Sequence, residues 1–349
     1  MWSRKVGSER VVDPVTGYAY PDEWVARCED PATRALAASG LGVLTADGRV
    51  LRRGFTTGTT AAAAAKAAVL SLGRPVDGVA ITLPCGLRVA VPARGEGGRG
   101  EARKDSGDYP SDVTAGLLFV ATAEPAPAGV EVVAGEGIGR FVRDTPRYRA
   151  GDAAVSQTAM ASIERAVDEA REEVGRAGVR VVLAIPEGAA VAQKTLNPRI
   201  GVEGGVSVLG STGLVEPWDD HLSEAAFERI RGADRVVLTT GRIGLRYSRL
   251  LFPSHEAVLV GVNLGRALDE VRGEAVICGL PGLVLKFIDP DVLTGTGCAT
   301  VEDLTATPAW PRVLERAFAR CRQEHPGVRV VVVDRAGTVL GDSASTPPA

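Results

Sequence analysis

The chain has 349 residues, 45% of them hydrophobic, with 40 basic against 43 acidic residues and a formal net charge of −3. That length gives material for two domains, and the acidic balance argues against a general nucleic-acid binder, whose nonspecific affinity comes from a basic field. No apolar run approaches the roughly 18 residues that span a bilayer, and Met1 to Lys5 lead into polar sequence, so a cytoplasmic protein with no membrane partner is expected.

Residues 1–50 carry turn signals (Asp13-Pro14, Thr16-Gly17, Asp30-Pro31) and one helical pattern from Ala32 to Ala38, and read as an extension packed on the main body. Gly54-Phe55-Thr56-Thr57-Gly58-Thr59-Thr60 then runs straight into Ala61 to Ala65 and Lys66. Thr59 or Thr60 can cap the first turn and the alanines propagate a helix. Its N–H groups would attract anions, with Lys66 adding a cation near the start. The same residues also read as a buried Ala-rich helix with an ordinary capped entry. Strands are predicted at Val79 to Leu83, Leu87 to Val91, Leu117 to Thr122 and Val130 to Val133, with Arg94 to Asp112 an edge hairpin or mobile loop. One helix against short strands predicts an α+β domain over residues 51–150 with a mixed or antiparallel sheet.

From 151 to 341 the rhythm changes. A helix from Gln157 to about Arg176 precedes strands at Val179 to Ile185, Val206 to Leu209, Arg235 to Thr239, Ala257 to Val262, Ala275 to Cys278 and Val328 to Val333. Helical patterns fall between them at Ser223 to Arg231, Leu245 to Leu251, Leu264 to Val271 and Trp310 to Gln323. This alternation predicts a Rossmann-like, three-layer α/β domain with ligands beyond the carboxyl ends of its strands. Residues 342–349 are expected to form a frayed, disordered tail.

Several motifs carry chemistry. Gly135-Glu136-Gly137-Ile138-Gly139-Arg140 lacks the helix that a dinucleotide fingerprint requires and reads as a tight turn. Gly54 to Lys66 is no Walker A loop, since no lysine directly follows the second glycine, which disfavours a phosphate-binding α/β enzyme. Lys104-Asp105-Ser106-Gly107-Asp108, with Asp112, reads as a solvated turn, or as a general base or ligand grip in which Lys104 keeps Asp105 ionised. Its spacing is not that of an EF-hand. Lys194 to Gly213 is the densest polar and glycine signal of the second half. Only five lysines occur, and Lys66, Lys104, Lys194 and Lys286 each border a Gly- or Pro-punctuated segment, where a compact cation suits a carboxylate or phosphate. The five scattered cysteines and three isolated histidines (His221, His255, His325) offer no disulfide framework, metal site or triad.

Together, Gly54 to Thr59, Ala61 to Lys66, Lys104 to Asp108 with Asp112-Val113-Thr114, Gly135 to Arg140 and Lys194 to Gly213 closely resemble the CbiD family of cobalt-precorrin-5B C(1)-methyltransferases, over roughly residues 51–305. The resemblance implies an enzyme of anaerobic cobalamin biosynthesis that moves a methyl group from S-adenosylmethionine to a tetrapyrrole ring carbon. Cobalt would arrive inside the substrate, with no metal site on the protein; homo-oligomerisation is left open. On this resemblance Lys66 and Asp105 are the catalytic candidates, Asp105 steering charge or a proton. Thr56, Thr57 and Gly58, with Lys66, would grip one ligand, and Lys194, Asn197, Arg199, Gly204, Gly205 and Ser207 the other. Thr59, Lys104, Asp108, Asp112, Glu203, Thr212, Gly213, Gly241, Asn263 and Lys286 complete the implied binding set. Thr60 stands where the family pattern has cysteine, Thr239 to Gly244 replace a T-P-G-N-x-G pattern, and Thr294 to Gly297 replace a Thr-His-Ser triplet. The alternative is a divergent paralogue that binds or carries a tetrapyrrole without methylating it.

Overall fold

The computed structural model describes residues 11–109, 112–145, 147–217, 224–261 and 263–344. Lys5, Pro110-Ser111, Pro146, His221, Ser223, Val262 and residues 345–349, all part of the sequence reading, lie outside the described residues. The chain divides into a middle unit, residues 52–217, and a terminal unit built from residues 1–51 and 218–349.

In the middle unit the alanine run forms α1 (Thr57–Leu70), and every residue of this helix is buried. Such a helix has no solvated face and projects little, so what packs on it must come close. Six strands do much of this: β1 (Val76–Thr82), β2 (Arg88–Glu96), β3 (Arg99–Arg103), β4 (Leu118–Ala126), β5 (Gly129–Ala134) and β6 (Gly178–Ala184), in the order β1-β2-β3-β4-β6-β5. All neighbours are antiparallel except β5 and β6. The period-2 alternation of β2 buries Val89, Val91, Ala93 and Gly95 on one face. Gly95 pairs with Gly100, and Gly100 with Ala121, so three of the smallest residues lie side by side across the sheet. A Cβ at Gly95 would overlap Ala67 O, and one at Gly100 would overlap Ala64 O and Ala68 N. Sheet and helix therefore meet backbone to backbone. A second helix, α2 (Gln157–Glu173), is capped by the Ser156 side chain and buries Ala159, Ile163, Ala166, Val167 and Ala170.

Two sequence expectations change here. The Arg94 to Asp112 segment does contain a hairpin, but β3 is an interior strand between β2 and β4 rather than an edge. The units also divide at 51/52 and 217/218 instead of at 150/151. β5 and β6 are parallel neighbours joined by a crossover containing α2, and a parallel pair requires such a crossover. A boundary at 150 would cut through it.

The terminal unit contains β7 (Arg235–Thr239), β8 (Glu256–Leu259), β9 (Glu274–Gly279), β10 (Arg329–Val333) and β11 (Val339–Asp342), in the order β8-β7-β9-β10-β11. The first four are parallel and β11 is antiparallel. Val236, Leu238, Ile277, Val330 and Val332 form one core with Ile230, Leu264, Leu285 and Phe318 of the helices. The alternating residues Val237, Val276, Cys278, Val331 and Val333 form the other, with Leu245 and Tyr247. Tyr20, Trp24, Val43 and Leu44 belong to this second core, so residues 11–50 supply part of the unit's packing, as the sequence reading expected of the extension. Asp342 is not frayed: Arg329 binds its carboxylate through Nε and Nη2 at 3.0 and 2.6 Å, and Ser343 N donates to Val330 O. All five cysteines are free thiols, and Cys28, Cys278 and Cys321 are buried.

Because the helix backbone fills the space a side chain would need, Gly100→Ala should destabilise the protein by about 1–3 kcal/mol or more through overpacking. Urea denaturation of this variant against wild type measures it, and a midpoint unchanged within error would contradict the close packing.

Candidate functional site

The entry of α1 is closed by the segment that follows Lys194. Thr56 caps the helix, its Oγ1 accepting from Thr59 N at 3.2 Å. Gly58 N donates to Leu209 O and Thr56 N to Gly213 O, both at 3.0 Å. Thr57 Oγ1 donates to Leu209 O and accepts from Leu209 N, at 3.2 and 2.9 Å. Thr59 Oγ1 donates to Gly213 O at 2.7 Å, and Gly54-Phe55 pair antiparallel with Leu214-Val215. Thr56 to Thr60 are all buried. The N–H groups of Gly58 and Thr59 are thus already satisfied, so this helix end is joined to strand and loop instead of presenting the expected open anion site.

Lys66 is the tenth residue of α1, about 14 Å along the axis from its first. Its side chain is 6% exposed and its Nζ donates to Glu169 of α2 at 2.5 Å. Lys66 therefore ties two helices together instead of supplying the expected cation at the helix entry.

The acidic loop braces the other side of that entry. Phe55 N donates to Asp105 O at 2.7 Å, and Arg52 N to the Asp108 carboxylate at 2.7 Å. The partly exposed Asp105 carboxylate meets Arg52 at 3.0 Å and accepts from Gly107 N at 2.9 Å. Lys104 does not reach Asp105. Neighbouring residues of extended chain project to opposite sides, and its Nζ contacts Asp112 Oδ2 at 2.6 Å and Ser106 Oγ at 3.1 Å, almost fully buried. Burial pushes the Asp112 carboxyl up, but the Lys104 ammonium and hydrogen bonds from Lys104, Thr114 and Ser106 outweigh it and hold the pKa at about 2. Arg53, with no side-chain exposure, meets Glu216 at 3.1 Å.

A third knot forms around glycines. Gly137-Ile138 run parallel to Gly205-Val206, and Arg140-Phe141 antiparallel to Val202-Glu203. Gly135 to Arg140 is thus a pair of short strands rather than a turn alone. Gly137 has φ of 72°, and a Cβ at Gly188 or Gly205 would overlap its carbonyl oxygen. Asn197, buried, donates through Nδ2 to Gly205 O at 3.0 Å and accepts from Ser207 Oγ at 3.1 Å.

A family model described as CbiD matches residues 44–217, a span that contains the whole middle unit. A cobalt-precorrin-5B C(1)-methyltransferase of Methanoculleus marisnigri is 59% identical over 336 residues, 95% of this chain and 99% of that one. Another of that name, from Methanospirillum hungatei, is 54% identical over 332 residues, again 95% and 99% of the two chains. The chain belongs to the CbiD family. The 1.9 Å crystal structure of a cobalamin biosynthesis protein (cbiD) from Archaeoglobus fulgidus is 36% identical, covers 93% of this chain and 100% of its own, and aligns with a TM-score of 0.54.

In this CbiD chain Thr56, Thr57, Gly58, Thr59 and Gly213 come together, with Asp105 and Asp108 bonded to the residues just before them. Thr212 turns beside them, its Oγ1 donating to Leu214 O at 3.1 Å. Asn197, Gly205 and Ser207 form their own cluster, while Lys194, Arg199, Glu203 and Gly204 are exposed. Gly241, Asn263 and Lys286 belong to the terminal unit. Gly241 and Asn263 follow neighbouring strands β7 and β8, and Lys286 is exposed on the helix after β9. Arg52, Arg53, Glu169 and Glu216 were not singled out from sequence. The available signal was that a lone lysine in an alanine helix needs a counter-ion, but nothing local names Glu169.

The Asp112 carboxyl is depressed from 3.8 to about 2, so its stabilising contribution is complete above the unfolded value and is lost as pH falls through about 2. The gap corresponds to about 2 kcal/mol. Stability of wild type and Asp112→Asn, compared from about pH 6 to about pH 2, should converge across that window. A difference that stays constant with pH would show that the carboxylate charge contributes nothing.

Proposed function

We propose that this chain transfers the methyl group of S-adenosylmethionine to C-1 of cobalt-precorrin-5B, giving cobalt-precorrin-6A in anaerobic corrin biosynthesis. The observation that carries this reading is that proteins 59% and 54% identical over nearly their whole length bear that enzyme's name. Those names favour transfer over a carrier role. The substrate is an apolar macrocycle rimmed by acetate and propionate carboxylates, and it brings its own cobalt. Transfer breaks a methyl–sulfur bond and forms a methyl–carbon bond, so the protein's share is to hold the acceptor carbon in line with the methyl group. Asp105, partly exposed and oriented by Arg52 and Gly107 N–H, is the residue assigned to steer charge or a proton.

The terminal unit is read as Rossmann-like. The chain leaves β7 for β8 on one side and returns to β9 on the other, so the crevice beyond Thr239 and Gly279 is a topological switch point. The reading assigns the donor to this edge. Thr239 is fully buried and its Oγ1 has no partner among the described residues, a hydroxyl that costs about 1–3 kcal/mol until something satisfies it. A Cβ at Gly244 would overlap that hydroxyl and lie 3.1 Å from Gly279 Cα, so the helix start sits tight on the strand end. Gly241, one residue before the helix, has open space where a side chain would go and an extended φ of −157°.

Anaerobic incubation with cobalt-precorrin-5B and methyl-labelled donor, read by mass, should give a product heavier by the labelled methyl group. Its absence would remove the enzyme reading. Gly241→Val fits its backbone without a clash, so thermal stability should stay within about 0.5 kcal/mol while S-adenosylmethionine affinity, measured by calorimetry, falls at least about tenfold. Unchanged affinity would move the donor away from this edge.

A further inference from the structure

We infer that an exposed apolar face around Gly201 in the middle unit, edged by cations, receives one face of the carboxylate-rimmed macrocycle; the inference rests on the proposed function for the identity of the occupant. Val142, Leu196 and Ile200 are 50%, 48% and 51% exposed, an unusual placement for large aliphatic side chains in neighbouring segments. The geometry brings them together. Val142 N donates to Gly201 O at 3.0 Å, and Ile200 N to Leu196 O at 3.2 Å. Gly201 has φ of 78°, and a Cβ there would sit 3.1 Å from Arg143 Nε and 3.6 Å from Val142 Cγ2, so Val142 and Arg143 lie close over the end of the helical turn Asn197–Ile200. Leu196, Arg199 and Ile200 stand at i, i+3 and i+4 and share one side of that turn. Asn197 points the other way, into its bonds with Gly205 and Ser207.

The charge pattern names the occupant. Arg143, Arg199 and Lys194 are exposed, and their side chains have no hydrogen bond or ion pair among the described residues. On an acidic protein, three cations unpaired among the described residues beside three exposed aliphatics are complementary to an apolar ring system with anionic substituents. Among the described residues the local acids Asp144 and Glu203 form no ion pair with these cations; Asp144 accepts from Ala150 N at 2.8 Å. Pre-organisation comes from beneath, because the Asn197 clamp and the Gly137 and Gly205 backbone pairing fix the segment that carries Leu196 to Ile200.

The test uses the full chain and uroporphyrin, a metal-free octacarboxylate tetrapyrrole, titrated by fluorescence at low and moderate salt. Wild type should bind saturably, with affinity falling as salt rises. Arg143→Gln with Arg199→Gln should weaken binding at least about tenfold at low salt and flatten the salt dependence. Leu196→Ser with Ile200→Ser should weaken it several-fold at both salts with thermal stability unchanged, since both side chains are already half in water. Absence of saturable binding to wild type, or affinities within about twofold for both double variants, overturns the inference. Methyl transfer to cobalt-precorrin-5B, assayed in parallel, separates the two readings. Variants that keep wild-type kcat/KM sink the docking face alone, whereas a wild type that binds the probe but transfers no methyl group sinks the enzyme reading alone.

Discussion

The middle unit depends on a helix with no exposed face lying directly on a sheet whose strands carry glycine where the helix crosses them. Where α1 crosses β2 and β3, the contact is backbone against backbone at Gly95 and Gly100, with Ala121 alongside. Alanine on the helix and glycine on the strands are one solution to one steric problem, since either partner gaining a side chain would force the layers apart. The sheet follows from the same requirement. β3 is interior and carries Gly100 under the helix, and α2, in the crossover between β5 and β6, packs against α1, where Lys66 bonds Glu169.

The three cations buried among the described residues, one on this helix and two in the segments beside it, are each satisfied internally. Lys66 finds Glu169, Lys104 finds Asp112, and Arg53 finds Glu216. Each cation is desolvated and each carboxylate stays nearer to water, so removing either partner would leave a charge uncompensated. Lys104 is the most fully bonded, with Ser106 and Thr114 completing the shell around Asp112. The N-terminus of α1 obeys the same rule, its threonine hydroxyls and N–H groups being consumed by Leu209 and Gly213. Of the motif's charged residues, Asp105, Lys194 and Arg199 keep access to solvent.

Much of this was legible in the residues. The helix from the alanine run, the strands at Arg235 and Val328, and the hairpin after Arg94 all follow from propensity and period. The gathering of Gly54 to Thr59 with Gly213, and the clustering of Asn197, Gly205 and Ser207, had a signal in glycine density. The partner of each lysine did not. Lys104 neighbours Asp105 in sequence but bonds Asp112 in space, because the intervening turn inverts the chain, and Lys66 stands within a few residues of the motif yet faces a different helix.

The sequence by itself determined that an alanine-rich helix would form after the threonine loop, that a parallel α/β pattern would run through the strands between Arg235 and Val333, and that the motif set was that of the CbiD family. Local propensity, hydrophobic period and turn chemistry act over a few residues and survive without tertiary context. Only the tertiary structure decided where the units divide, which strand completes which sheet and whether a motif's donors are spent or open. Those outcomes depend on contacts between residues far apart in the chain, such as Thr57 with Leu209 and Lys66 with Glu169. No local rule fixes such a contact until the surrounding layers have excluded water.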